Sequence, residues 1–311
     1  MTQQAWQISA EQASTQMIGN WVGRKVIPKD PKVPQRFRYV ASGMWQGYHA
    51  AIADEEPEAL VAKLNAIDSE LLGFALEGVA IGLAELDALK PQEQNRVEAF
   101  VAGTTPAYQT MVYLGVGLGL VRGKLPIEPY LNQLNPVISW PVIDGYGFNH
   151  GVNYWQDYID GQAIPAQLSG YLRCVFDQGL GRGIWLVNCA DVDRIATTIG
   201  AFPATRQPDL WGGIGFACAS IGGAQSSTIE ALGKVAGDYL LQLAKAATCA
   251  AKFRKLLGNE AGYTALVSEV LSSMATEAGF EIKQTPVESL PNNGAEPDQQ
   301  IWQHYREYLL V

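Results

Sequence analysis

Charged side chains are scarce in this sequence. They make up 17% of its 311 residues, whereas apolar residues make up 48%, and a typical soluble domain has about 25% charged residues. The 22 basic and 31 acidic side chains give a net charge of −9 and form no Lys/Arg cluster, which argues against a nucleic-acid partner. A chain of this length can bury a large core and still line a cavity for an apolar small molecule.

Side chains that bind metals or form disulfides are also few. The sequence has four cysteines and three histidines, at Cys174, Cys189, Cys218, Cys249, His49, His150 and His304. No C-x-x-C pair and no zinc-like spacing is present, and D-D-x-x-D and G-x-S-x-G are absent as well. We therefore expect reduced, buried cysteines in a cytoplasmic protein that needs no metal and no cofactor.

Three patterns that would indicate other architectures are missing. Period-two alternation is not found, and no regular repeat of roughly 20 to 50 residues is visible in the letters. The N-terminus, MTQQAWQISAEQ, lacks the order of a signal peptide. The uncharged stretch 210–228, LWGGIGFACASIGGAQSST, holds five glycines and predicts a buried helix rather than a membrane span. This stretch is also compatible with attachment of the protein to one face of a membrane.

Apolar residues at helical spacing dominate the chain instead. We predict an all-α protein in one domain, 1–311, with paired helices around one core, and a closed α/α barrel would fit the length. Two long helices are expected over 210–256 and 262–279, and a short one after a cap at Asp191. Residues 1–36 should form a helix and a loop, and 284–297 a linker to a C-terminal helix that docks on the body.

Two acidic residues in an apolar helix call for an explanation. Glu77 lies in GFALEGVAIG, with no other charge from Leu71 to Ala84, and a buried carboxylate is costly unless it is paired or protonated. It is a proton donor or a site-facing polar group, or else a structural carboxylate that pairs with a buried arginine or caps a neighbouring helix. Asp87, near the end of the same helix, is better explained by solvent or an arginine. Further along, Asp177 and Arg182 could form an ion pair, and Gly179, Gly181 and Gly183 indicate tight packing.

Residues 141–158, PVIDGYGFNHGVNYWQDY, combine Asp144 and His150 with many rings. Ring faces stabilise positive charge, by about 2 kcal/mol when desolvated, so a cavity that guides a carbocation would use them. Asp144 would then be the initiating acid, with Glu77 second and His150 orienting the acid. An aromatic mini-core around a turn at Asp144–Gly145 is the plainer alternative. The rings predicted to contact substrate are Trp45, Tyr108, Tyr113, Trp140, Tyr146, Phe148, Tyr154, Trp155, Tyr158 and Trp211.

Six sequence blocks between about residues 73 and 224 resemble, in order, a bacterial family of unknown function. They are GFALEGVAIGLAELD, YLGVGLGLVR, DGYGFNHG, FDQGLGRGIWLV, DVDRIATTIGAFP and RQPDLWGGIGFACASIGGA. Members of that family are often described as enediyne biosynthesis proteins. The resemblance implies a role in natural-product biosynthesis without naming a reaction.

In size and style the chain is also similar to monodomain class II terpene cyclases, such as merosterolic acid synthase. That similarity implies an α/α barrel of the cyclase β-domain type and a protonation-initiated cyclisation of a polyprenyl or meroterpenoid chain. The D-x-D-D acid motif and clear Q-W repeats of the squalene–hopene type are absent, so no motif locates the acid. The competing expectation is a non-catalytic protein that binds a lipid or polyketide.

Overall fold

The computed structural model describes residues 10–53, 56–89, 95–134 and 136–280. Within these ranges the chain forms helices and no strand, which confirms the all-α prediction. No helix in the same ranges is both long and apolar enough to cross a membrane. The expected linker 284–297 and the C-terminal helix lie outside the described residues, as do residues 1–9.

The helices are joined by short turns and pieces of 3₁₀ helix, with one π-helical turn at Gln156–Asp160. In chain order the α-helices are α1 Ala10–Gly23, α2 Lys32–Ala53, α3 Pro57–Leu64, α4 Leu72–Leu89, α5 Arg96–Ala102, α6 Gln109–Gly123, α7 Glu128–Gln133, α8 Pro136–Asn153, α9 Tyr171–Val187, α10 Val192–Gly200, α11 Gln207–Ile221, α12 Ser226–Ala236, α13 Leu240–Leu256 and α14 Gly262–Glu277.

Two expected helix boundaries need correction. The single helix predicted over 210–256 is three helices, α11, α12 and α13, because Gly222 and Gly237 adopt positive φ values of 78° and 53° at the two breaks. Glycine in that region ends a helix without steric cost. Asp144 and Gly145 do not form a turn and lie inside α8. The cap at Asp191 is confirmed, since its carboxylate accepts the N–H groups of Asp193 and Arg194.

Seven long helices pack side by side in the order α2, α4, α6, α8, α9, α11 and α13. Neighbouring helices of the row run parallel wherever the glycine contacts show which residues of the two helices meet. Gly43 of α2 meets Leu71, just before α4, and Gly47 meets Ala75 of α4, in the same order. Gly147 and Gly151 of α8 likewise meet successive turns of α9. The shorter helices and turns between them return the chain to the starting end.

A G-x-G pair marks four consecutive members of this row. The pairs are Gly115 and Gly117, Gly145 and Gly147, Gly179 and Gly181, and Gly213 and Gly215. In each pair a Cβ on the first glycine would strike a backbone carbonyl of the preceding helix of the row, and a Cβ on the second would strike one of the following helix. The sequence therefore does contain a structural repeat, which the letters conceal because only two positions per unit are constrained.

The glycine pairs bring equivalent positions of successive helices to the same height. The residues just before the first glycine, counting Gly78 of α4 as the equivalent position, are Glu77, Leu114, Asp144, Gln178 and Gly212. The residues one turn later are Ile81, Leu118, Phe148, Arg182 and Phe216. All but Phe148 are buried. The two sets therefore mark the positions of each helix that face the interior, and we call them the inward positions.

The close helix contacts at the glycines lead to a prediction about stability. Gly117→Ala should lower the free energy of unfolding by about 1–3 kcal/mol, because the added methyl group must push α6 away from Val142 of α8. Gly200→Ala is the matched control, since nothing lies within 4 Å of a Cβ at that exposed position. Urea unfolding of both variants measures the difference. Equal stabilities would show that α6 and α8 do not approach as closely as described.

Candidate functional site

A cavity of about 290 Å³ lies between the row of long helices and α1, near the lower end of the roughly 300–1,000 Å³ of small-molecule sites. Most of its lining is apolar: Met17, Phe37, Val40, Ala41, Met44, Trp45, Phe74, Ile81, Leu118, Phe148, Val152, Tyr154, Leu186 and Ile221. Its polar lining consists of Gln16, Asn20, Glu77, Arg122, Asn149, Asn153 and Arg182. A mainly apolar wall with a few polar groups is typical of a small-molecule site.

The cavity lies at the C-terminal halves of α6, α8, α9 and α11, and against the N-terminal half and middle of α4. Side chains of α1 and α2 hold last-turn carbonyl oxygens there. Asn20 donates to Val152 O at 2.7 Å, Trp21 to Leu186 O at 2.6 Å, and Arg36 to Ile221 O at 2.6 Å. Helix C-termini carry partial negative charge, so this end of the row favours positive charge in the cavity.

Four amide side chains from α1 and α8 form the polar end of the cavity. Gln16 donates to Asn153 Oδ1 at 2.6 Å, and Asn153 donates to Asn149 Oδ1 at 2.5 Å. Asn149 in turn donates to Leu118 O at 2.8 Å. We call Gln16, Asn20, Asn149 and Asn153 the amide cluster.

Arg182 is fully buried between three elements of the row. It pairs with Asp144 of α8, and its Nη2 lies 3.6 Å from Glu77 Oε1 of α4. The guanidinium lies over the rings of Phe148 and Phe216, at 4.7 and 5.1 Å from the centroids. Gln178 donates to the other oxygen of Asp144 at 3.0 Å, so Asp144 is occupied on both oxygens.

Glu77 differs from Asp144 in having no hydrogen bond within the described part of the chain, although only 4% of it is exposed. Burial raises the pKa of its carboxyl to about 7; Arg182 opposes this rise and Asp144 adds to it. A substantial fraction of Glu77 is therefore protonated near neutral pH, and this group lines the cavity. It is the arrangement expected of a general acid.

A second buried carboxyl, Glu85, lies two turns beyond Glu77 on α4. It accepts a hydrogen bond from Tyr48 at 2.8 Å and pairs with Arg122 Nε at 2.7 Å. Burial raises its pKa to about 7, against the opposing effects of Arg122 and Tyr48. Arg122 also lies over the rings of Trp45 and Tyr48. Glu85 thus neutralises the other arginine of the cavity wall.

The structure places Asp144 and His150 away from the cavity lining. His150 donates through Nδ1 to Tyr146 O at 2.8 Å, and its ring lies 4.3 Å from both Tyr146 and Tyr158. Burial lowers its pKa, which favours the neutral imidazole. These rings, with Phe176, form the aromatic mini-core that the sequence left open as an alternative.

Of the rings predicted to contact substrate, Trp45, Phe148 and Tyr154 line the cavity. The others have different surroundings: Trp140 stacks on Phe253, Trp155 lies under Arg24, and Tyr113 donates to Glu98. The remaining rings outside the described lining are Tyr108, Tyr146, Tyr158 and Trp211.

Two predictions about ion pairs had different outcomes. Asp87 pairs with Arg96 at 3.1 Å, which confirms the interpretation as a helix-end acid that meets an arginine. The predicted Asp177–Arg182 pair is wrong, because Asp177 binds Arg206 at 2.5 Å. Five positions along a helix rotate a side chain by about 140°, so the two residues face different neighbours.

Sequence patterns missed several lining residues. Arg122, Phe37 and Phe74 were not singled out, and neither was the amide cluster. Glu85, which pairs with Arg122, was missed as well. The inward positions of the glycine repeat would have identified Arg122, because it lies one turn after Leu118. Nothing in the sequence indicated α1 as part of the wall.

Among the described residues, no three His, Cys, Asp or Glu side chains come together in a way that could hold a metal ion. All four cysteines carry free thiols, and three of them are buried. Burial raises the pKa of Cys189 and Cys218 to about 12. These thiols are therefore poor nucleophiles.

The raised pKa of Glu77 predicts a pH-dependent stability. The folded protein holds this proton to about pH 7, whereas the unfolded chain releases it near pH 4.5. The free energy of unfolding should thus fall between these pH values, by about 1.4 kcal/mol per unit of pKa difference. Glu77→Gln removes this dependence, so its stability relative to wild type should rise with pH. Exposed Glu230→Gln is the control, and denaturant curves across the window that shift in parallel for both variants would contradict the assignment.

Comparison with known proteins identifies the family of this chain but no reaction. Searches of curated proteins and of solved structures found no match. The family described as "Protein of unknown function (DUF1702)" matches residues 10–308, which include every helix of the row and all residues of the cavity. The chain belongs to this DUF1702 family.

Proposed function

We propose that the protein is a class II terpenoid cyclase in which Glu77 protonates an apolar polyprenyl or meroterpenoid chain. The observation that carries this proposal is the Glu77 carboxyl: it lines the cavity, has no hydrogen bond in the described chain and has a pKa raised to about 7. An acid that starts such a reaction must hold its proton in a dry site at working pH.

The surroundings of Glu77 suit the cation that would follow. Phe74 and Phe148 lie beside it in the cavity wall, with Trp45 and Phe37 also in the lining. Ring faces attract a cation by about 2 kcal/mol when desolvated. The C-terminal ends of the parallel helices add a negative potential, typically about 0.3–1 kcal/mol per helix.

The architecture supports the same class. Long helices that lie parallel, separated by short returning helices, are the arrangement of the inner wall of an α/α barrel. Arg36 of α2 bonds to Ile221 of α11 at 2.6 Å, so the row curves back on itself. We propose that the row is a barrel of the class II terpene cyclase β-domain type, with Glu77 in the role of its acid. A place in natural-product biosynthesis, including enediynes, is consistent with this chemistry.

A second candidate is a non-catalytic protein that holds a lipid or polyketide in the same cavity. The observation that favours it is Arg182, 3.6 Å from Glu77. A nearby cation stabilises the ionised carboxylate, which opposes protonation of an alkene. The position of Arg182 therefore counts against Glu77 as a proton donor and is compatible with binding alone.

Glu77→Gln separates the two functions. The amide keeps the shape of the side chain but has no proton to transfer, so turnover of geranylgeranyl-type substrates should fall by about 10²–10⁴-fold while the substrate still binds. Wild-type turnover should decline as pH rises through about 7, where Glu77 loses its proton. Exposed Glu230→Gln should behave like wild type.

Other outcomes reassign the chemistry. Turnover that survives Glu77→Gln and is lost in Asp144→Asn would move the acid to Asp144. Tight binding by the wild-type protein without any turnover would favour the binding protein.

A further inference from the structure

The charges around the cavity restrict what it can bind. The cations in its described lining are Arg122 and Arg182. Arg182 pairs with Asp144, and Arg122 pairs with Glu85. Each arginine of the described lining thus has a carboxyl partner of its own, which leaves no unpaired arginine there for an anion.

The helix ends point to the same conclusion. Binding sites for phosphate use helix N-termini, where free N–H groups and the positive end of the dipole meet the anion. Here the C-terminal halves of α6, α8, α9 and α11 border the cavity. A carboxylate or diphosphate in this position would meet partial negative charge from several directions.

The amide cluster provides neutral recognition instead. An amide side chain offers an oxygen acceptor and two N–H donors. Within the described chain, the Gln16 and Asn20 oxygens accept no hydrogen bond, although each nitrogen donates one. An alcohol or carbonyl could therefore bond to this cluster with no change in charge.

We infer that the ligand is an uncharged molecule, an apolar chain with one oxygen-bearing end that binds the amide cluster, and that Asn20 and Gln16 determine this specificity. The orientation rests on the proposed function, because the reacting double bond must lie at Glu77 and the oxygen must then lie at the amide end. Diphosphates and carboxylates of the same chain are excluded from the site.

The test uses a matched series with one chain: farnesol, the hydrocarbon farnesene, farnesoic acid and farnesyl diphosphate. Affinity is measured by displacement of the neutral fluorophore 1-aminoanthracene, so no turnover is needed. Wild type should bind farnesol about two- to tenfold more tightly than farnesene, the value of one hydrogen bond. Both anions should bind more weakly than farnesene.

Two variants locate the effect. Asn20→Leu should abolish the preference for farnesol over farnesene and leave farnesene affinity unchanged or higher. Gln16→Leu should reduce the same preference; its exposed position makes it the safer variant if loss of the Asn20–Val152 bond unfolds α1. Gln46→Leu is the control, because Gln46 is an exposed amide on α2 whose hydrogen bond among the described residues is to Ser42 of its own helix.

Several results would overturn the inference. Tighter binding of the diphosphate or the acid than of the alcohol would do so, as would equal affinities for farnesol and farnesene in wild type, or no displacement by any neutral member. Binding of farnesol without turnover of any neutral polyprenyl substrate would refute the cyclase and leave the inference standing. Turnover of a diphosphate would refute the inference and leave the cyclase standing.

Discussion

Backbone-to-backbone contact between parallel helices is the constraint on which this structure depends. At each glycine of the repeated pair, a carbonyl of the neighbouring helix occupies the space where a side chain would begin. Such contact is possible only without a Cβ, and it fixes both the distance and the height of one helix against the next. Once four such pairs are in place, the inward positions of α4, α6, α8, α9 and α11 are aligned without further information.

The buried charges follow from that alignment. Glu77, Asp144 and Gln178 occupy the same position in three repeats, and Arg182 lies one turn beyond Gln178. The alignment brings them within reach of each other although they come from three helices. Buried ion pairs contribute little net stability when desolvation is counted, and their value here is the electrostatic setting of Glu77. Asp144 serves as the partner of Arg182, so Glu77 keeps only a long contact with that arginine, and burial raises the pKa of its carboxyl.

The sequence predicted the all-α fold class better than it predicted which charged side chains form pairs. Helical spacing and uninterrupted apolar runs identified an all-α chain, a cap at Asp191 and a buried Glu77, because these depend on local patterns. The pairs Asp177–Arg206, Glu85–Arg122 and Asp144–Arg182 could not be predicted in this way, since each joins helices whose register depends on the glycine contacts. The aromatic stretch 141–158 was only partly informative. Tyr146 and Tyr158 pack on His150, and Phe148 and Tyr154 line the cavity. Phe37 and Phe74, which lie in less aromatic stretches, also line the cavity. Counting residues from one glycine pair to the next would have recovered the inward positions.

Within each repeat, the positions that hold the helices together differ from those that line the cavity, and this separation has an evolutionary consequence. The glycines hold the helices in place, whereas Glu77 in α4 and the residues at later turns, such as Leu118 in α6 and Arg182 in α9, determine what the cavity wall presents. Substitutions at these inward positions leave the helix contacts intact, so the scaffold can acquire a new binding preference by a few exchanges. A fold built in this way is well suited to diversification, and laboratory evolution directed at positions 81, 118, 148 and 186 should find altered ligand preferences at little cost to folding.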